Sequence, residues 1–181
     1  MRNRTYLSFG VAVLAIGLTT GLIIRAQQQQ KPDSTMTQQQ MEEMNKRGDK
    51  AMGFDHSRTT HHFILAGDGG SIQVEANDAN DKPSRDQIRQ HLRHVAIMFS
   101  DGNFEIPMFV HSETPPGAAV MQKLKGEISY KYKDTERGAL IRISTTNAEA
   151  LQAVHDFLRY QIKEHMTGDP LEATAKPKSE L

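Results

Sequence analysis

Eight histidines, nine methionines and no cysteine set the chemistry open to this chain of 181 residues. Without thiols there are no disulfides, thiolate metal sites, cysteine nucleophiles or lipidated cysteines. Any catalysis or metal binding must use imidazole, thioether, carboxylate or hydroxyl groups. The histidines stand at positions 56, 61, 62, 91, 94, 111, 155 and 165. His91 and His94 are three apart in a segment where Ile88, Leu92, Val95 and Phe99 recur at helical spacing. Both rings therefore lie on one flank of a helix and can point at one ion, with Met98 one turn further on. Neutral imidazole suits copper, zinc or nickel, and a thioether biases the set toward copper, so copper or zinc is the cofactor expected. A further ligand has to come from elsewhere, and His62, His61 and His111 are the candidates. Adjacent strand residues face opposite sides of a sheet, so only one of His61 and His62 looks toward the helices.

The same histidines could act without a metal. His91 or His94 would then be a general base oriented by Asp55, Glu75 or Asp86. No motif fixes such a triad: the chain has no Gly-x-Ser-x-Gly elbow, no His-Glu-x-x-His and no dinucleotide fingerprint. No catalytic residue is assigned, and a binding protein is expected rather than an enzyme. His155 falls inside an apolar helical stripe and reads as a hydrogen-bonded core histidine. His56 and His165 lie near segment ends, where a surface role is the simpler one.

The elements that must position these side chains follow from hydrophobic period and turn chemistry. Residues 63–65 and 71–76 flank Gly67-Asp68-Gly69-Gly70, a hairpin signature, and a helix carrying the Ile88 stripe follows. Residues 128–133, a turn around 134–138, and residues 140–144 repeat the hairpin. A second helix then carries Leu151, Val154, Leu158 and Ile162, capped by Thr146 or Asn147. The two helices share a local pattern, His91-Leu92-Arg93-His94 against Phe157-Leu158-Arg159-Tyr160, so the repeat is one of pattern more than of identity. The expected fold is α+β: two β-β-α units, about 60–99 and 127–166, forming a four-stranded antiparallel sheet with two helices on one face. In the connector, 100–126, Phe104, Ile106, Met108 and Val110 alternate as in a short extra strand. Tyr130 and Tyr132 alternate like core residues and are not read as a base-stacking platform. Gln73, Glu75, Ser129 and Lys131 make the other face of the sheet polar.

Outside this domain, placed at 53–168, Arg2 and Arg4 precede an uncharged, mostly apolar run at 6–24. That pattern is an N-terminal signal or anchor helix, either cleaved after Ala26 or retained as a membrane span. Either way the rest of the chain is exported, periplasmic or extracytoplasmic. Residues 27–52 read as a flexible Gln- and Met-rich linker with a possible short, loosely docked helix at 37–50, and 169–181 as a polar tail. Formal net charge is zero, which removes any global electrostatic case for nucleic acid. The expected function is a small exported binding protein holding a transition metal on its histidine-rich flank. The alternative is a metal-free interaction module for a cell-envelope protein or a second copy, its histidines forming a pH-sensitive surface.

Overall fold

The structure, a computed structural model, describes residues 37–174. The apolar run at 6–24, the glutamine-rich stretch up to residue 36 and residues 175–181 lie outside the described residues. The chain is α+β, with one four-stranded antiparallel sheet and five α-helices. In order these are α1 (Gln38–Met52), β1 (Thr59–Ala66), β2 (Gly69–Ala76), α2 (Lys82–Ser100), α3 (Glu105–His111), α4 (Ala118–Lys123), β3 (Ile128–Asp134), β4 (Gly138–Thr145) and α5 (Ala148–Glu164). The strand order is β1-β2-β4-β3, so each hairpin stays intact and the two meet through β2 and β4.

The register explains which side chains face inward. Phe63 pairs with Ile72, Ile72 with Ile141, and Ile141 with Tyr132, so this row lies on the face that carries the helices. His61 belongs to the same face, two residues before Phe63, and His62 to the other. Tyr130 and Tyr132 pack half-buried against the core. Helix ends obey side-chain chemistry: Asp81 caps α2 by accepting from Ser84 N–H, with Pro83 in the first turn, and Asn147 caps α5. Each long helix covers the hairpin of the other unit: α2 packs chiefly on β3 and β4, and α5 on β1 and β2. Neither unit buries its own sheet face alone.

Three segments differ from expectation. The connector holds helices α3 and α4 in place of a strand, because Phe104, Pro107 and Val110 are buried at threefold spacing while Met108 and Phe109 are exposed. A period of two and a period of three both fit so short an apolar run, and packing on the core selected the second. Helix α1 is docked, not loose: Met44 is 2% exposed, and Arg47 Nε donates to the Val110 carbonyl at 2.8 Å. The domain therefore includes part of the stretch expected to be linker. The polar stretch after Gly168 runs along the outer edge of β1 as far as Thr174. Phe63 N–H donates to Asp169 Oδ2 (2.9 Å), Thr174 N–H to the Leu65 carbonyl (3.1 Å) and Gly67 N–H to the Thr174 carbonyl (3.0 Å). That edge is thereby paired and shielded from other strands.

Gly117 is the tightest junction in the connector. Its φ is +82°, and a Cβ there would overlap the Ala153 carbonyl oxygen of α5. Gly117→Ala is expected to cost about 2–4 kcal/mol, seen as a lower Tm with the fold otherwise retained. Because the helices exchange hairpins, a chain ending at residue 126 leaves α2 without β3 and β4; it should show no cooperative thermal unfolding, and a sharp transition in that fragment would contradict the reciprocal packing.

Candidate functional site

Four imidazoles from four elements meet where α2, α5, α3 and β1 converge beneath α1. His61 of β1, His91 of α2, His111 at the end of α3 and His165 just past α5 all line one cavity of about 90 Å³. Its other walls are almost wholly apolar, including Met52, Phe63, Val95, Phe99 and Phe157, and among the described residues no carboxylate, lysine or arginine lines it. An outer cleft of about 340 Å³ lies beside it between α1, the start of β1 and the end of α5, and Gly48, Met52, His61, Val110 and His165 border both spaces.

Within the cavity the rings touch one another. His61 stacks on His165 with centroids 5.9 Å apart, and His111 meets His165 edge-on at 5.1 Å. Phe63 flanks His165 at 5.4 Å, and Phe54 meets His91 edge-on at 5.8 Å. His111 is oriented by Gln161, whose Oε1 lies 3.0 Å from His111 Nε2. With Nε2–H donating to that oxygen, Nδ1 carries the lone pair. Both His111 Nδ1 and Gln161 Nε2 are buried without a hydrogen-bond partner among the described residues. A buried polar atom left unpaired costs about 1–3 kcal/mol, so each marks a place that a ligand, ion or water completes.

Burial sets the protonation state. Desolvation, reinforced by neighbouring imidazoles, pushes His61 and His91 down to about 4. Burial likewise holds His165 well below its ordinary range, and it lowers His111 against the opposing effect of the Gln161 hydrogen bond. All four rings are neutral at pH 7. Neutral imidazoles with free nitrogens can ligate a metal or accept a hydrogen bond; they are poor pH sensors near neutrality.

The remaining histidines lie elsewhere. His94 is exposed on α2, and neither it nor Met98 lines the cavity, so the α2 flank contributes His91 alone to this cluster. His62 points to the opposite face of β1, where its Nδ1 pairs with Asp169 Oδ1 at 3.0 Å. His155 Nε2 lies 2.9 and 3.1 Å from the Ala66 and Gly69 carbonyls and ties α5 to the first hairpin turn. His56 pairs with Asp49 at 2.9 Å. Among the described residues, Asp49, Asp55 and His56 are the one trio of carboxylate and imidazole groups with ligand atoms within 4.8 Å of one another; Asp49 and His56 are half-buried and bonded to each other, while Asp55 is exposed and bonded to Ser57. No three cavity imidazoles meet that distance as they stand, so joint ligation requires ring rotation. The carboxylates considered as orienting partners are engaged away from the cavity: Asp55 with Ser57, Glu75 with Arg137 at 2.7 Å, and Asp86 with Arg85 at 2.9 Å.

Of the expected ligands the structure thus gathers His61, His91 and His111, and separates His94, His62 and Met98. His165 and Gln161 escaped the sequence reading, although Phe157, Gln161 and His165 recur every four residues and so share one helical face. Compared with protein-family models, with curated proteins and with solved structures, the chain matches none.

Buried neutral imidazoles make stability depend on pH with a definite sign. Between about 6.5 and 4 the unfolded chain binds protons at His61 and His91 that the folded chain does not. Stability is therefore full above 6.5, falls on acidification through that window, and stops falling on this account below about 4. Denaturant midpoints should give a slope of about 2 kcal/mol per pH unit between pH 6 and 5 for these two groups. A flat profile there would contradict their burial as neutral rings.

Proposed function

We propose that this protein is a small exported binding protein whose cavity holds a transition-metal ion, copper(I) in preference to zinc, through His111, His165 and His61, with His91 on the facing wall. The observation that carries this reading is His111. Its Nε2–H is held by Gln161 Oε1, and its bare, buried Nδ1 has no other partner. A ligating histidine typically has its other ring nitrogen fixed by an acceptor in this way. His165 and His61 follow in ring contact, neutral and so ready to ligate.

The choice of metal rests on charge. The solvation cost of burying an ion rises with the square of its charge, and among the described residues no carboxylate lines this cavity to offset a divalent ion. A monovalent soft ion with imidazole and thioether neighbours suits these walls better than zinc, which favours four ligands that commonly include thiolate or carboxylate. Export rests on the basic start and the apolar run at 6–24, which leave open whether the chain is released near Ala26 or stays anchored. Among the described residues no helix is long and apolar enough to cross a membrane.

The test is an anaerobic copper(I) titration of the full-length chain, free of any histidine tag, against a competing chelator, with zinc in parallel. One copper(I) per chain is expected. His111→Gln and His165→Asn should each weaken binding at least 100-fold, while His94→Gln leaves it within about twofold. Retention of neither metal, or loss of binding on His94→Gln but not on His165→Asn, overturns the proposal. The first of those outcomes would favour a metal-free interaction module, for which exposed Met108 and Phe109 of α3 offer a surface.

A further inference from the structure

The outer cleft is as distinctive in its sulfur as the cavity is in its nitrogen. Of the seven methionines among the described residues, four line this one space: Met41, Met44 and Met52 from α1 and Met166 from the segment after α5. The three on α1 are spaced three and eight residues apart and so share one helical face, with Gly48 between them. That glycine is not demanded by space, because a Cβ there would meet only Met52 Cε, at an ordinary 3.5 Å. Glycine inside a helix costs about 1 kcal/mol relative to alanine, and here it lies in the wall shared by cleft and cavity, with the Met52 thioether beside it.

Met166 gives a second, independent indication. It is one of two non-glycine residues with positive φ among the described residues, at +48°, and it is 59% exposed. An unbranched apolar side chain held in left-handed backbone at the rim is costly by propensity and gains little from burial. A thioether at a cleft mouth gains instead by meeting a soft ion. Glu164, the one carboxylate lining the cleft, adds attraction for a cation.

Building on the copper(I) assignment of the cavity, we infer that this cleft is a loading site in which thioethers of Met41, Met52 and Met166 capture copper(I) and pass it, across the wall the two spaces share, to His61 and His165, the two imidazoles bordering both. No bond in the protein is made or broken and no electron moves; only the ligands of the ion are exchanged. Met44, 2% exposed, also anchors α1, so it is left untouched in the test.

Stopped-flow transfer of copper(I) from its bicinchoninate complex to the full-length chain, under anaerobic conditions, separates the two assignments. Met41→Leu and Met166→Leu together, with Met52 kept because it also lines the cavity, should leave final uptake at one ion per chain and slow loading at least tenfold. Met166→Leu alone, at an exposed position that leaves packing intact, should slow it about threefold. Loading of both variants at the wild-type rate overturns the methionine relay while leaving the imidazole centre standing. Loss of final uptake in the double variant, with its fold retained, also overturns the relay, because the thioethers would then be resting ligands. Failure of the wild-type chain to take copper(I) removes the cavity assignment and the relay with it.

Discussion

The exchange of helices between hairpins is the constraint on which the rest of the molecule depends. Each β-β-α unit has an apolar sheet face that its own helix largely leaves uncovered, and the pairing of β2 with β4 brings α2 onto the second hairpin and α5 onto the first. Ile88, Leu92 and Val95 from one helix and Val154, Leu158 and Ile162 from the other are buried in a single core. Toward the β1 end, the wall carries rings and a gap. There His91 and Phe157, which occupy matching places in the two helices, border the cavity, and His61 and His165 complete it. The site is thus a product of the interface between repeats and belongs to neither one.

Closing that gap falls to the segments outside the repeat. Helix α1 lies over it with Met44 buried and Arg47 bonded to the last turn of α3, and α3 in turn delivers His111 to Gln161. A cavity so enclosed admits only uncharged imidazoles, since a protonated ring among Phe63, Val95 and Phe157 would lose most of its solvation. The lone pairs of these neutral rings suit a soft cation, and their lowered proton affinity ill suits them to sensing pH near neutrality. Stability and proposed chemistry are linked: rings that are costly to bury empty gain most when their lone pairs are used.

Much of the fold was legible in the sequence, because it is written in periodicity. The glycine-rich turn before Ser71, the alternation through Ile72, Val74 and Ala76, and the helical stripe at Ile88 predict the first unit, and the same signals recur from Ile128 onward. The connector was not legible, since Phe104 to Val110 satisfies two periods and only contact with the core decides between them. Helix α1 was hidden by its polar composition, which describes its solvent face and conceals the Met44 and Gly48 stripe. The site was legible in part. Strand alternation required that one of His61 and His62 face inward without choosing between them, and helical spacing put His91 beside His94 although their directions diverge. His165 is a ligand candidate only because α5 ends where β1 begins its inward row, a distance of more than a hundred residues that no local pattern spans.

The most direct test of the central claim is to follow the imidazole nitrogens themselves. Long-range proton–nitrogen NMR of the full-length, nitrogen-15 labelled chain reports tautomer and ligation ring by ring, before and after one equivalent of copper(I). The account predicts that His111 begins as the Nε2–H tautomer, and that the nitrogens of His61, His111 and His165 shift together on loading while those of His62, His94 and His155 stay in place. Shifts confined to the exposed rings, or none at all, would contradict it.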